Sequence, residues 1–412
     1  MNEMLEVEEH LASILATVAV VGTETVTLAA ACGRTLREPV RAAVDIPVFD
    51  NSAMDGFAVR WADVATASTE HPVRLRVVAD LPAGSDADPV LSAGEAARIM
   101  TGSALPTDAD VIVPFEETAG GLEDSLGEIE VLLAPARRGA HVRLHAGDAH
   151  VGDEIMAPGI HIGPLQAAAA AAAGVPTLVV SQQPRVAVIS TGSELVTPGD
   201  PLRRGQIPES NSTLLAALAA DAGAEIVLRM SVPDDDESLR RALADATTRG
   251  ANAVIFSGGV SAGAYEVVKT ALGPGGEMSF SKVKMQPGKP QGFGRLSSGV
   301  LLFGLPGNPV SSAVSFEVFV RPALLAMQGR AELARTVLRM QTSASWRTPP
   351  GRRQYLPVVI DRTDSAGWTV APATSGASHL AGGLARAEAY AIVPAEVTEV
   401  AAGAFVDVML VS

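Results

Sequence analysis

Covalent and metal staples are nearly absent from this chain: Cys32 is the single cysteine in 412 residues. An intramolecular disulfide is impossible, and a multi-cysteine zinc or iron–sulfur centre is excluded with it. That scarcity suits a reducing compartment, and a cytoplasmic location is expected. Aromatic residues make up only 4%, so alanine, valine and leucine must fill the interior. The N-terminal stretch MNEMLEVEEHLASIL is acidic and amphipathic, without the basic segment and apolar core of a signal peptide. Residues 165–174 contain seven consecutive alanines, far short of the ~20 apolar residues of a membrane span. They read as a buried helix, and no membrane association is expected.

Positive charge is scarce as well. The net charge of −15 argues against general nucleic-acid binding. Of the 31 basic residues only four are lysines, and Lys269, Lys282, Lys284 and Lys289 all fall within 21 residues. Lysine is a compact, mobile point charge, whereas arginine is a planar fork. A lysine cluster beside glycine-rich turns points to a local anion site, against the plainer reading of chance under an arginine bias. Lys282 and Lys284 read as alternate residues of a strand, sharing one face that Gln286 continues.

What is present is apolar mass: 47% of residues, ample for several cores in a chain long enough for two to four domains. Residues 1–42 read as mainly helical. Residues 43–140 show short β-type runs such as VRLRVVAD, punctuated by Pro and Gly. From 184 to 326 strands and helices alternate: RVAVIS, EIVLRMSV, AVIFSGG and GVLLFGL are strand-like, whereas LLAALAADAG, DESLRRALADA and VSSAVSFEVFVRPALLAM are helical. That order means βαβ units and a parallel sheet. Residues 345–412 return to β character, as a small barrel or sandwich.

Ligands of an open α/β sheet bind outside the carboxyl ends of its strands. Connectivity puts four segments there: Thr191-Gly192-Ser193-Glu194, Asp234-Asp235-Asp236, Ser257-Gly258-Gly259 and Pro306-Gly307-Asn308-Pro309. Glycines let backbone N–H groups approach an anion, and carboxylates suit a hard cation that bridges phosphates. Each glycine alone equally suits an ordinary turn, and the three aspartates equally suit a charged helix start. No GxxxxGK[ST] and no GxGxxG opening a helix occur, which disfavours a P-loop NTPase and a dinucleotide-binding Rossmann domain. A second polar constellation, Asp50-Asn51-Ser52-Ala53-Met54-Asp55-Gly56, reads as a rigid turn before a strand.

Taken together, PVFDNSAMDGFAVR (47–60), RIMTGSALP (98–106), STGSEL (190–195), SGGVSAG (257–263), PGKP (287–290), LPGNPVS (305–311) and SGASH (375–379) resemble the molybdopterin molybdenumtransferase family. Bacterial MoeA proteins and the plant and gephyrin E domains belong to it. The resemblance implies a multidomain α/β plus β fold. Its parts are a discontinuous N-terminal domain (1–42 and 141–176), a small β-rich domain (43–140), a central three-layer α/β domain with a mostly parallel sheet (177–328) and a small C-terminal β-barrel (335–412). It also implies a homodimer whose active site lies between subunits. Adenylylated molybdopterin and molybdate are the implied substrates, with AMP released, Mg²⁺ involved, and an adenylyltransferase as a possible partner.

Position by position, the resemblance implies acidic site residues at Asp55, Asp148, Glu194, Asp234 and Glu266, with Mg²⁺ on a subset of Asp55, Glu194, Asp234 and Glu266. It adds Thr101, Lys282, Lys289, Pro306 and Pro309, with Ser261 in the SGGVSAG segment. Arg352 and Ser378 would hold molybdate, with Arg353 as a substitute for Arg352. The chain departs from some relatives at Gln286, where they carry a third lysine, and Gln286→Lys is expected to lower the molybdate requirement. Two other readings are an adenylyltransferase, whose activity usually sits on a lone α/β domain, and a non-enzymatic scaffold. AMP release separates the three.

Overall fold

A computed structural model describes residues 4–121, 126–260, 266–364, 367–373 and 381–411. Its centre is a six-stranded sheet. In chain order the strands are β1 (Arg185–Thr191), β2 (Glu225–Val232), β3 (Ala253–Ser257), β4 (Met278–Lys282), β5 (Pro290–Arg295) and β6 (Leu301–Leu305). Their spatial order is β2-β1-β3-β6-β5-β4. The pairs β1–β2, β1–β3 and β3–β6 are parallel, whereas β5 and β4 add antiparallel edge strands. Both faces are covered, which is why β3 and β6 are buried along their whole length.

Helices pack on both faces of this sheet, among them α1 (Val7–Leu15), α2 (Asn211–Asp221), α3 (Asp236–Thr248), the short helix Val267–Leu272 and a long helical run, α4, from Pro309 to Met327. Leu215 of α2 and Val314, Phe319 and Leu324 of α4 join one core layer; Leu239 and Leu243 of α3 join the other. α4 is long and apolar enough to cross a membrane, yet most of it is buried inside the protein. It contains a π-helical turn at Phe316–Val320, which carries the buried Glu317 onto Arg335 at 2.9 Å.

The N-terminal half holds a five-stranded sheet ordered Val111–Pro114, Gly56–Val59, Glu95–Ile99, Val73–Leu81, Glu128–Val131. A smaller unit joins the strand Thr23–Thr27 to Thr177–Ser181 and Val40–Arg41 to Glu154–Met156. In the C-terminal part, Arg353–Asp361, Thr369–Pro372, Val337–Thr342, Phe405–Leu410 and Ala389–Val393 form a sheet that closes through pairing of its first and last strands. This is the expected β-barrel.

Three local expectations are corrected. Residues 1–42 are not mainly helical: one nine-residue helix precedes short strands. α1 packs on the α/β layer through Val7 and Ile14. The alanine run lies on a surface helix, Pro164–Ala172, in which only Ala170 is buried and Leu165 is 81% exposed; Ala173, just past its end, is buried as well. Alanine forms helix by propensity alone, without needing burial. Lys282, Lys284 and Gln286 do not share a strand face. The strand ends at Lys282, Leu5 bridges the next residues through Lys282 O and Lys284 N, and Met285–Gln286 pairs with the barrel strand Arg353–Asp361.

His10 of α1 is 5% exposed and meets the Phe319 ring edge-on at 4.8 Å. Burial pushes its pKa down to about 4. The folded value lies below the unfolded one of about 6.5, so the stabilisation is complete above that pH and is lost as pH falls through the interval. Chemical unfolding should show wild type losing up to about 3 kcal/mol more than His10→Leu between pH 6.5 and pH 4. Parallel pH profiles for the two proteins would contradict this.

Candidate active site

The carboxyl ends of β1, β2, β3 and β6 open into one crevice of about 810 Å³. Thr191 at the end of β1 and Gly192 and Glu194 just after it join the lining, and the segment after β2 contributes Asp234. Ser257 ends β3 and Gly258 and Gly259 follow it, and Pro306 to Pro309 follow β6. Glu266 and Lys289 line the same space. The topology thus gathers all four of the segments that connectivity assigned to the strand ends.

Hydrogen bonds lock these loops to one another. Gly192 N donates to Val232 O, and Gly258 N donates to Leu305 O. Asp234 accepts from Ser193 N at 3.0 Å, while Asp234 N donates to Ser193 Oγ. The three aspartates divide their work: Asp235 caps α3 by accepting from Ser238 N, and Asp236 pairs with Arg240. Of the three, Asp234 alone lines the crevice. Gly258 has φ +93°, and a Cβ there would lie 2.7 Å from Thr191 O. Glycine is therefore required at that turn.

Sequence reasoning missed two residues of this wall. Asn211, at the start of α2, donates to Ser257 Oγ at 2.8 Å and to Gly307 O at 2.6 Å. Glu209 is buried, accepting from Ser190 Oγ and from Ser212 N. The segment PESNS resembled an ordinary helix start, and nothing local announced a tie to residues 46 and 96 positions away. Thr191 Oγ1 and Asn211 Oδ1 are buried with no partner among the described residues. Native proteins tolerate few such atoms, and those that persist concentrate where a ligand or water is to be met.

Other expected residues lie elsewhere. Asp55 is exposed in the N-terminal sheet region, outside the crevice lining. Its Oδ1 accepts from Thr101 N at 2.6 Å and from Thr101 Oγ1 at 2.7 Å. The backbone bond first, then the hydroxyl, holds this carboxyl below the usual range. Asp148 is exposed on the segment that bonds back to Ile46 O. Lys282 is exposed at the end of β4. Arg352 touches the crevice through Gln286, whose Oε1 accepts its Nη1 at 2.6 Å. Arg353 instead binds Glu8. Ser261 and Ser378 fall outside the described residues.

The crevice can take an anion and a cation together. Lys289 has no ion-pair partner among the described residues, and the glycine turns expose backbone. Among those residues no three acidic, His or Cys side chains converge as a metal cage. Magnesium commonly uses one or two carboxylates and lets waters and phosphates complete its octahedron. Glu194, Asp234 and Glu266 fit that arrangement, one shared with a phosphorylated ligand.

The chain matches the family models for the MoeA N-terminal region (domain I and II) over residues 5–174, a probable molybdopterin binding domain over 187–326 and the MoeA C-terminal region (domain IV) over 339–411. It is 43% identical over 406 residues to molybdopterin molybdenumtransferase 2 of Mycobacterium tuberculosis, covering 97% of this chain and 98% of that one. It is 39% identical to molybdopterin molybdenumtransferase of a Nostoc species, covering 75% and 70%. Two crystal structures of molybdopterin biosynthesis MoeA protein from Pyrococcus horikoshii superpose with TM-scores of 0.78 and 0.83 at 31% and 26% identity. They cover 99% of this chain and 99% or 100% of theirs.

Thr101→Val should raise the Asp55 pKa toward the ordinary carboxylate value, because one of the two bonds that favour the charged form is gone. The Asp55–Thr101 contact is present above the ordinary carboxylate pKa and fades as pH falls through the lowered one. Carboxyl NMR titration checks it; an unmoved Asp55 would contradict the pairing.

Proposed function

The chain belongs to the molybdopterin molybdenumtransferase family and acts in molybdenum cofactor biosynthesis, and from that premise we propose that its crevice inserts molybdate into adenylylated molybdopterin with release of AMP. One observation carries the reading: glycine turns, carboxylates and Lys289 meet in a single space. Breaking a phosphoanhydride is largely a matter of positioning and charge neutralisation. Backbone at Gly258 and Gly259 accommodates phosphate, and Lys289 draws the molybdate dianion into a protein of net charge −15. Glu194, Asp234 and Glu266 would hold Mg²⁺, which when bound neutralises phosphate charge.

Asp55, Thr101 and Asp148 stand apart from this crevice, yet the family chemistry uses their positions. A homodimer resolves that: the N-terminal motif of one copy completes the crevice of another. Exposed apolar side chains next to the motif, Val48 at 52%, Phe49 at 45% and Met54 at 37%, support a covered surface there. A reducing cytoplasm suits the single cysteine, and an adenylyltransferase is the partner class that supplies the substrate.

Incubation with adenylylated molybdopterin, molybdate and Mg²⁺ should release AMP and yield active cofactor; no AMP from a folded dimer would overturn the reading. Lys289→Ala should raise the half-saturating molybdate concentration about tenfold, consistent with loss of one charge-assisted contact, and the effect should shrink at high salt. Asp55→Asn should fold normally and lose ~10²–10³ in turnover. Light scattering should give a dimer, and a fully active monomer would contradict the shared site.

A further inference from the structure

Four consecutive carbonyl oxygens, those of Leu305, Pro306, Gly307 and Asn308, run through the turn that leaves β6 and opens α4. Each is taken by a donor. Leu305 O accepts from Gly258 N at 3.0 Å, and Asn308 O accepts from Ser312 N at 2.9 Å. Pro306 O accepts from Ser312 Oγ, whose side chain is buried. Gly307 O accepts from Asn211 Nδ2 at 2.6 Å. The first and last of these bonds are backbone bonds, set by the neighbouring turn and by the first turn of α4. The middle two depend on side chains, one from α2 and one from within α4.

That pattern has an electrostatic consequence. Pro306, Gly307 and Asn308 line the crevice. A carbonyl oxygen aimed into this space would present its negative end to a phosphate. Glycine at position 307 leaves the following peptide free to turn, so the backbone alone does not keep Gly307 O out of the crevice. Asn211 does. Both of its amide hydrogens are committed, one to Gly307 O and one to Ser257 Oγ at 2.8 Å. Gly307 O can only accept, so the nitrogen of the Asn211 amide must be the atom that faces it. With these carbonyls turned away, the wall presents the N-terminal end of α4, where the helix dipole is positive.

We infer that Asn211 and Ser312 are positioning residues that hold the carbonyls of Gly307 and Pro306 out of the crevice, and so make this wall tolerant of a phosphate-bearing ligand. The inference rests on the molybdenum-transfer reading for its choice of ligand, the adenylyl phosphate. Glu209 supports the arrangement from below. It accepts from Ser212 N at the start of α2 and from Ser190 Oγ at the end of β1. The helix start is thus capped by a neighbour, which leaves the Asn211 amide free to reach the turn after β6.

The test compares AMP with adenosine on the full-length protein, by ligand-observed NMR titration alongside thermal unfolding. The two ligands differ by the phosphate alone. Asn211→Leu keeps the side-chain size and removes both donors, which releases Gly307 O to seek water in the crevice. AMP binding should weaken about tenfold, the size of one hydrogen bond to a charged group, while adenosine binding stays unchanged. Ser312→Ala frees Pro306 O and should show the same selectivity for the phosphate. It removes only a hydroxyl, so it carries the test should Asn211→Leu fail to fold.

Equal losses for AMP and adenosine would show that Asn211 shapes the whole site or touches the nucleoside, and would overturn the inference. So would a lowered melting temperature with AMP affinity intact, the mark of a purely structural role. Wild-type protein that binds neither ligand would sink the adenylylated substrate instead. Pyrophosphate, which carries the anion without the nucleoside, then decides the inference by itself: weaker binding in both variants supports it, and unchanged binding overturns it.

Discussion

Parallel pairing of β1 with β2 and β3, and of β3 with β6, is the constraint on which the rest depends. Parallel strands must return by a crossover over a face of the sheet, so every segment that follows a strand emerges at the same edge. That geometry alone gathers Thr191, Asp234, Ser257 and Pro306 from across the chain. Apolar burial on both faces fixes the strands, and the bonds from Gly258 N to Leu305 O and from Asn211 Nδ2 to Gly307 O fix the loops. Functional side chains described at the strand ends therefore sit on segments anchored to a packed core, which limits the reorganisation left to ligand binding.

Charge is organised on top of that scaffold. The protein is strongly acidic, and its few lysines gather on the chain between β3 and β6. The structure then separates them. The segment at α1 neutralises Lys284 and Arg353 through Glu6 and Glu8, while Lys289 lines the crevice. At physiological salt the Debye length is about 8 Å, so this local arrangement outweighs the distant acidic surface. α1 thereby links the N-terminal segment to the electrostatics of a crevice it does not line.

Much of this was legible in the sequence. Period and punctuation located β1, β2, β3 and β6, and the order of strands and helices implied where the crevice lies. The DNSAMDG and LPGNPVS segments carried the family. What was illegible depended on partners rather than on pattern. The apolar face of α1 announced burial but not against which layer. The alanine run looked buried because composition does not distinguish small side chains in a core from small side chains on a surface helix. The lysine segment read as one strand because alternation cannot reveal that Leu5 and the barrel pull it out of the sheet. The tie between Gln286 and Arg352 joins residues 66 positions apart, and Asn211 looked like any helix start. Such contacts are fixed by tertiary structure and leave no local trace.

The central claim is that one working site needs the crevice of one copy and the N-terminal motif of another. Complementation tests it most directly. Asp55→Asn and Asp234→Asn chains are each expected to be nearly inactive as homodimers. Unfolded and refolded together, they form mixed dimers in which one site combines an intact crevice with an intact motif. The account predicts recovery of about a quarter of wild-type AMP release, because about half the dimers are mixed and each has one working site. No recovery, with mixed dimers demonstrated by mass spectrometry, would contradict it.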